Sequence, residues 1–239
     1  ILQGALTAVL IFSLPLWKKR SEVKTGEVSG ESDGTANNET RKPLSVRGVL
    51  AIRGAKEILV MFFCYCALES TAMLWGSSYM VLGKGIDKTT AATWASLFCI
   101  GITVGRLASG FLTMKFDDPT MIRLGQALVL TGIVSMLLPL PHNIGTIMGL
   151  MVIGLGCAPI YPCVIHSTPA YFGEDKSQAI VGMQMACAYV GSMCMPPVFG
   201  LIAQHVSVLW FPLYMLVFLV LMVIMHESLR KKCAGQTIG

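Results

Sequence analysis

An all-α membrane protein with several spans is the fold class this sequence predicts, on three observations. Hydrophobic residues make up 54% of the 239 residues and charged residues only 13%, about half the charge of a globular domain. The apolar residues are gathered into seven runs, each near the length of about twenty residues needed to cross hydrocarbon. The basic residues fall almost entirely on one side of the topology those runs imply.

The runs cover approximately 1–17, 58–83, 91–114, 121–140, 144–169, 178–203 and 207–226. At a rise of about 1.5 Å per residue, each approaches the roughly 30 Å of a bilayer core. The chain begins Ile1-Leu2-Gln3 and its first run looks clipped, so a fragment of a longer protein is expected. Residues 18–57 form a long link. Its stretch from Ser21 to Thr40 is rich in Gly, Ser, Glu and Asn and has almost no large apolar side chain, which predicts a flexible linker. From Val46 to Ile52 apolar and basic residues mix, which predicts a short interfacial helix.

Placing the 18–57 link on one side puts Lys115, Arg123, Lys176, Arg230, Lys231 and Lys232 on that same side, with only Lys84 and Lys88 opposite. The positive-inside rule then makes the link and the C-terminal tail 228–239 cytoplasmic. The protein is expected as a multi-pass component of the inner (plasma) membrane, with the lipid bilayer as its first partner. The net charge of +5 expresses this topology, so no nucleic-acid partner is needed. Of the eight cysteines, none forms a Cys-x-x-Cys pair. They read as small packing residues, and no metal or other cofactor is expected.

Glu69 carries the functional signal, because it is the only charge inside the run from Ile58 to Leu82. A carboxylate near the bilayer centre costs at least a few kcal/mol and normally marks a solute or proton pathway. Tyr65, Glu69, Ala72, Gly76 and Tyr79 recur at spacings of four and three, so one helical face carries an acid and two phenols. That face suits a polar cavity; the bland reading is an acid held by a neighbouring helix. Trp75 lies on another stripe, as packing or as ligand contact. Arg106 falls in the cytoplasmic half of the 91–114 run and reads as a structural or gating residue. Around it Gly101, Gly105 and Ser109 form a stripe of small residues for close helix packing.

In the fifth run, Pro159 and Pro162 flank Tyr161. The two prolines remove backbone hydrogen bonds and should bend or loosen the helix, as gating elements do. Tyr161 at that point is a candidate solute contact. Gln184, an amide in an apolar stretch, either bonds a hydroxylated solute or joins two helices. No hydrolase elbow, phosphate-binding loop or dinucleotide fingerprint occurs, so the sequence does not read as an enzyme.

Six spans after a long basic link resemble the C-terminal half of a major facilitator superfamily transporter. The stretch Gly105-Arg106-Leu107-Ala108-Ser109-Gly110-Phe111-Leu112, the Tyr161-Pro162 pair, and Gly191 through Pro196-Pro197 to Gly200 are similar to the fucose:proton symporter group. The resemblance covers roughly residues 45–230. It implies a C-terminal six-helix bundle, 58–227, of a twelve-span fold, with 1–17 as the last span of an N-terminal half otherwise absent from this sequence. It also implies alternating access and a solute-lining role for Tyr161. Two departures stand out. Met114 replaces the acid of the loop that follows the family's second C-terminal span. Glu69 falls where the group has an uncharged amide, so its proton role rests on burial alone. The resulting expectation is a secondary transporter of a small polar solute such as a sugar, coupled to protons. Solute-binding residues are Tyr65, Glu69, Trp75, Tyr161 and Gln184, and Glu69 is the proton site. Arg106, Pro159 and Pro162 form the gate. A drug or metabolite exporter with an apolar cavity, suggested by the 15 methionines, is the alternative within the class. A membrane enzyme or sensor is the alternative outside it.

Overall fold

The computed structural model describes residues 46–138 and 143–234, all in the unit that runs from Pro43 to Gly239. The expected first span 1–17, most of the 18–57 linker and residues 235–239 lie outside the described residues. Seven α-helices follow one another: α1 Val46–Ala51, α2 Ala55–Ser78, α3 Lys88–Leu112, α4 Asp118–Leu137, α5 Ile144–Phe172, α6 Glu174–His205 and α7 Phe211–Ala234. A π-helical turn, Tyr79–Gly83, extends α2, and a short 3-10 turn, Val208–Trp210, leads into α7. Among the described residues, six helices are long and apolar enough to cross a membrane, and α1 covers Val46–Ala51, where a short helix was expected.

Local chemistry sets the breaks. Gly54, at φ 92°, turns the chain from α1 into α2 in the left-handed region that glycine adopts without cost. Gly173, at φ 80°, is the whole connection between α5 and α6. Asp87 caps α3 by accepting from the amides of Thr89 and Thr90 at 3.0 and 3.2 Å. Pro119 sits in the first turn of α4, where its missing N–H costs nothing. Each helix passes its apolar run at one end or both, α3 and α4 stop short at their C-terminal ends at Leu112 and Leu137, and α7 continues past the expected boundary at 227 to Ala234. No breaker intervenes there, and Leu229 and Cys233 keep the buried stripe going.

Two helices are central. In α2 and α5, 61% of the most apolar window is buried, against 28% in α3 and 22% in α6. The α5 helix packs chiefly on α3 and α4, α2 chiefly on α6 and α7, and α2 also meets α5. Small residues allow the closest of these approaches. Gly125 and Gly156 face each other between α4 and α5, as do Gly132 and Gly149. A Cβ on Gly132 or on Gly149 would lie 2.7 Å from the other's carbonyl oxygen. Between α3 and α5, Gly101 lies on the Met151 carbonyl, Gly154 on the Phe98 carbonyl and Gly105 on Ala158.

Ion pairs tie the helix ends that carry the basic residues. Arg123 of α4 forks onto Glu227 of α7 with two bonds of 2.8 Å, Asp118 of α4 meets His166 of α5 at 2.6 Å, and Lys232 of α7 pairs with Glu57 of α2. Exposed pairs of this kind contribute roughly 1 kcal/mol or less each. The glycine interfaces therefore hold the bundle, and the ion pairs set its register.

Candidate functional site

Tyr65, Glu69, Ala72, Gly76 and Tyr79 do share one face of α2, but most of that face is packed and does not line a cavity. Tyr65 is 1% exposed, and Ala72 and Tyr79 are each 2% exposed. Gly76 abuts Leu150, and Tyr79 stacks on Phe211 with ring centres 5.1 Å apart. The cause is the central position of α2, whose length is covered by α6, α7, α3 and α5. Glu69 is the half-buried exception. The Tyr65 phenol, one turn earlier, lies beside the Glu69 carboxyl, and Arg106 of α3 is within electrostatic reach of it. Tyr65 thus supports Glu69 and is too buried to touch a solute in this conformation.

Beside this pair lies a cleft of about 460 Å³, lined by Arg106, Ser109, Gly110 and Thr113 of α3 and by Tyr161 and Pro162 of α5. Its size falls within the few hundred to about 1,000 Å³ of small-molecule sites. The α3 wall follows from helical spacing, since 106, 109, 110 and 113 fall on one face. The α5 wall is brought up by Gly105, which would place a Cβ 2.6 Å from that of Ala158 and 2.8 Å from the Leu155 carbonyl. That carbonyl has lost its usual donor because residue 159 is proline. The Tyr161 ring is held 5.1 Å from Phe62 and 6.2 Å from Tyr65, and its hydroxyl donates to the Met185 sulfur at 3.3 Å. Glu69 is not on the cleft wall, but it interacts electrostatically with both Arg106 and Tyr161 on it. Thr113 was not singled out from the sequence and Ser109 was read there only as a small packing residue, although their spacing from Arg106 was the available signal.

The remaining site residues fall elsewhere. No break opens in α5: the helix continues through Pro159, Pro162 and Pro169, with Pro159 buried and Pro162 on the cleft wall. Packing by α3 and α4 on either side holds it together. Trp75 is turned away from Glu69 and toward α6, where its indole donates to the Pro196 carbonyl at 3.0 Å and meets Phe199 edge-on. Gln184 is fully buried and its amide donates to Thr168 of α5 at 3.2 Å, so it joins two helices. Replacing Gln184 with leucine is accordingly expected to leave solute affinity unchanged while lowering stability by about 1 kcal/mol. Thermal unfolding in detergent and a binding isotherm check the two halves of that expectation.

The description "Major Facilitator Superfamily" belongs to the family model that matches residues 58–231, well over half of the chain. The chain belongs to this superfamily. Its fold is similar to that of the E. coli fucose:proton symporter, with a TM-score of 0.61 and 16% identity, covering 81% of this chain and 50% of that one. A second structure of this superfamily, FucP in the outward conformation, gives a TM-score of 0.59 and 17% identity over 82% of this chain and 47% of that one. The peptide transporter POT, solved with alafosfalin, gives 0.64 and 19% identity over 82% and 42%. At such identities the likeness is one of fold. The chain spans about half the length of these superfamily members. No curated protein sequence matches it.

Proposed function

We propose that this chain forms the C-terminal half of a secondary transporter that moves a small polar solute by alternating access, with Glu69 as the proton-coupling acid. One observation carries the proposal: Glu69, half-buried on α2, lies within electrostatic reach of Arg106 on the wall of the neighbouring cleft. An ionised carboxylate deep in a membrane protein is retained when it is paired. Protonation removes the charge that holds Arg106, so the guanidinium becomes free to bond a solute or to close the cleft. A solute and a proton then favour the same conformation, which is what coupling requires.

Arg106, Ser109 and Thr113 supply hydrogen-bonding groups for a hydrophilic solute, set in a cleft that is otherwise largely apolar. The Tyr161 ring offers a face for a sugar, and the likeness in fold to a fucose:proton symporter makes sugars the first class to assay. The low burial of α3 and α6, with Leu107, Phe111, Tyr189 and Met193 each about 70% exposed, supports a second six-span half covering these helices. The basic residues at one end of the bundle support a plasma-membrane orientation with the C-terminus of α7 in the cytoplasm.

The test is uptake into proteoliposomes by the protein carrying both halves, with a pH gradient and a panel of sugars. Solute-dependent proton entry supports the reading; gradient-independent equilibration of every solute would reject coupling. Tyr161→Ala is expected to weaken solute binding about tenfold, the worth of one hydrogen bond at a half-buried site, with expression intact. Unchanged affinity would return Tyr161 to a packing role.

A further inference from the structure

A second cleft, on the outer surface of the bundle between α4 and α7, has a different chemistry. Its walls are Ala127 and Leu130 of α4 and Val220, Val223 and Ile224 of α7, and it encloses about 400 Å³. Leu130, Val220 and Ile224 are each 44–53% exposed. The whole cleft, its charged end included, extends about 10 Å along the helices, counted from residues 123 to 130. One end is charged. Arg123 forks onto Glu227, and Arg230 stands 3.8 Å from the same carboxylate. Two guanidiniums thus share one carboxylate, leaving a net positive charge at that end. All three side chains remain 37–50% exposed.

From these features we infer that the α4–α7 cleft is a binding site for one anionic phospholipid. The phosphate sits against Arg230 and the outer edge of Arg123, and an acyl chain runs along Leu130 and Val223. Charge complementarity decides the class, since a zwitterionic lipid would gain the apolar contacts but no net attraction. The inference does not depend on the transported solute.

Native mass spectrometry of the detergent-purified protein, incubated with phosphatidylglycerol or phosphatidylcholine of identical acyl chains, tests it. Phosphatidylglycerol is expected to be retained about fivefold better, the share of one basic residue facing anionic lipid. Arg230→Gln should abolish that preference, whereas Lys115→Gln, also basic but outside the cleft, should not. Ala127→Trp should fill the groove and reduce retention of both lipids. Equal retention of the two lipids by the unaltered protein would overturn the site. So would a Lys115→Gln variant that loses as much preference as Arg230→Gln, or a monodisperse Ala127→Trp protein that binds as before. If Ala127→Trp does not fold, the comparison of Arg230→Gln with Lys115→Gln decides alone.

Discussion

Replacing Glu69 with glutamine in the protein carrying both halves is expected to reduce proton-driven uphill accumulation to the level of protein-free liposomes. Exchange of labelled for unlabelled solute across the membrane should persist. The substitution keeps the shape and hydrogen-bonding capacity of a protonated acid beside Tyr65, but it removes the charge that reaches Arg106. The guanidinium is then permanently released. A carrier locked in that state can still bind and reorient with solute, yet it cannot use a proton gradient, because no group on this face changes charge with the cycle. Accumulation that stays undiminished and still follows the pH gradient would sink Glu69 as the coupling acid. Loss of exchange together with accumulation would instead assign Glu69 to solute binding.

Hydropathy made the six described spans readable, because a bilayer requires runs of about twenty apolar residues whatever the rest of the fold does. The edges were less legible. Charged and polar residues at helix ends reach the interface on long stems, so α6 begins at Glu174 and α7 ends at Ala234, outside the apolar runs. The same uniform apolarity hid which face of each helix is open. In water, a polar face marks the exposed side; in lipid, Leu and Met face both protein and hydrocarbon. Tyr65 and Tyr79 were therefore read as cavity residues although α2 is enclosed by its neighbours. Glu69 and Arg106 were each visible as isolated charges, but their meeting across α2 and α3 depends on tertiary packing. Pro159 and Pro162 signalled a bend or loosening, and α5, packed between α3 and α4, continues as helix through both. Trp75 and Gln184 had two readings at the level of sequence, and only their partners, Pro196 and Thr168, distinguish them.

Gly156→Leu is expected to be among the most damaging single substitutions of a residue that touches neither cleft. A Cβ at this position would lie 2.7 Å from the Gly125 carbonyl oxygen and 2.8 Å from the Val129 amide nitrogen. Both are backbone atoms of α4, so no side chain can swing aside, and α4 must move bodily away from α5. Overpacking of a close interface costs about 1–3 kcal/mol, and more where backbone has to shift. The α4–α5 interface is among the most extensive in the bundle, so the variant should show poor expression and a clearly lower unfolding temperature in detergent. Gly182→Ala on α6 is the matched control. A Cβ there would meet nothing within 4 Å, and removing a mid-helix glycine favours the helix by about 0.5–1 kcal/mol. The two glycines look alike in the sequence, each inside an apolar span, and differ only in what faces them. If Gly156→Leu unfolds at the same temperature as the Gly182→Ala control, backbone contact between α4 and α5 is not what holds this bundle together. If the two diverge as expected, close glycine packing outweighs the exposed ion pairs at the helix ends.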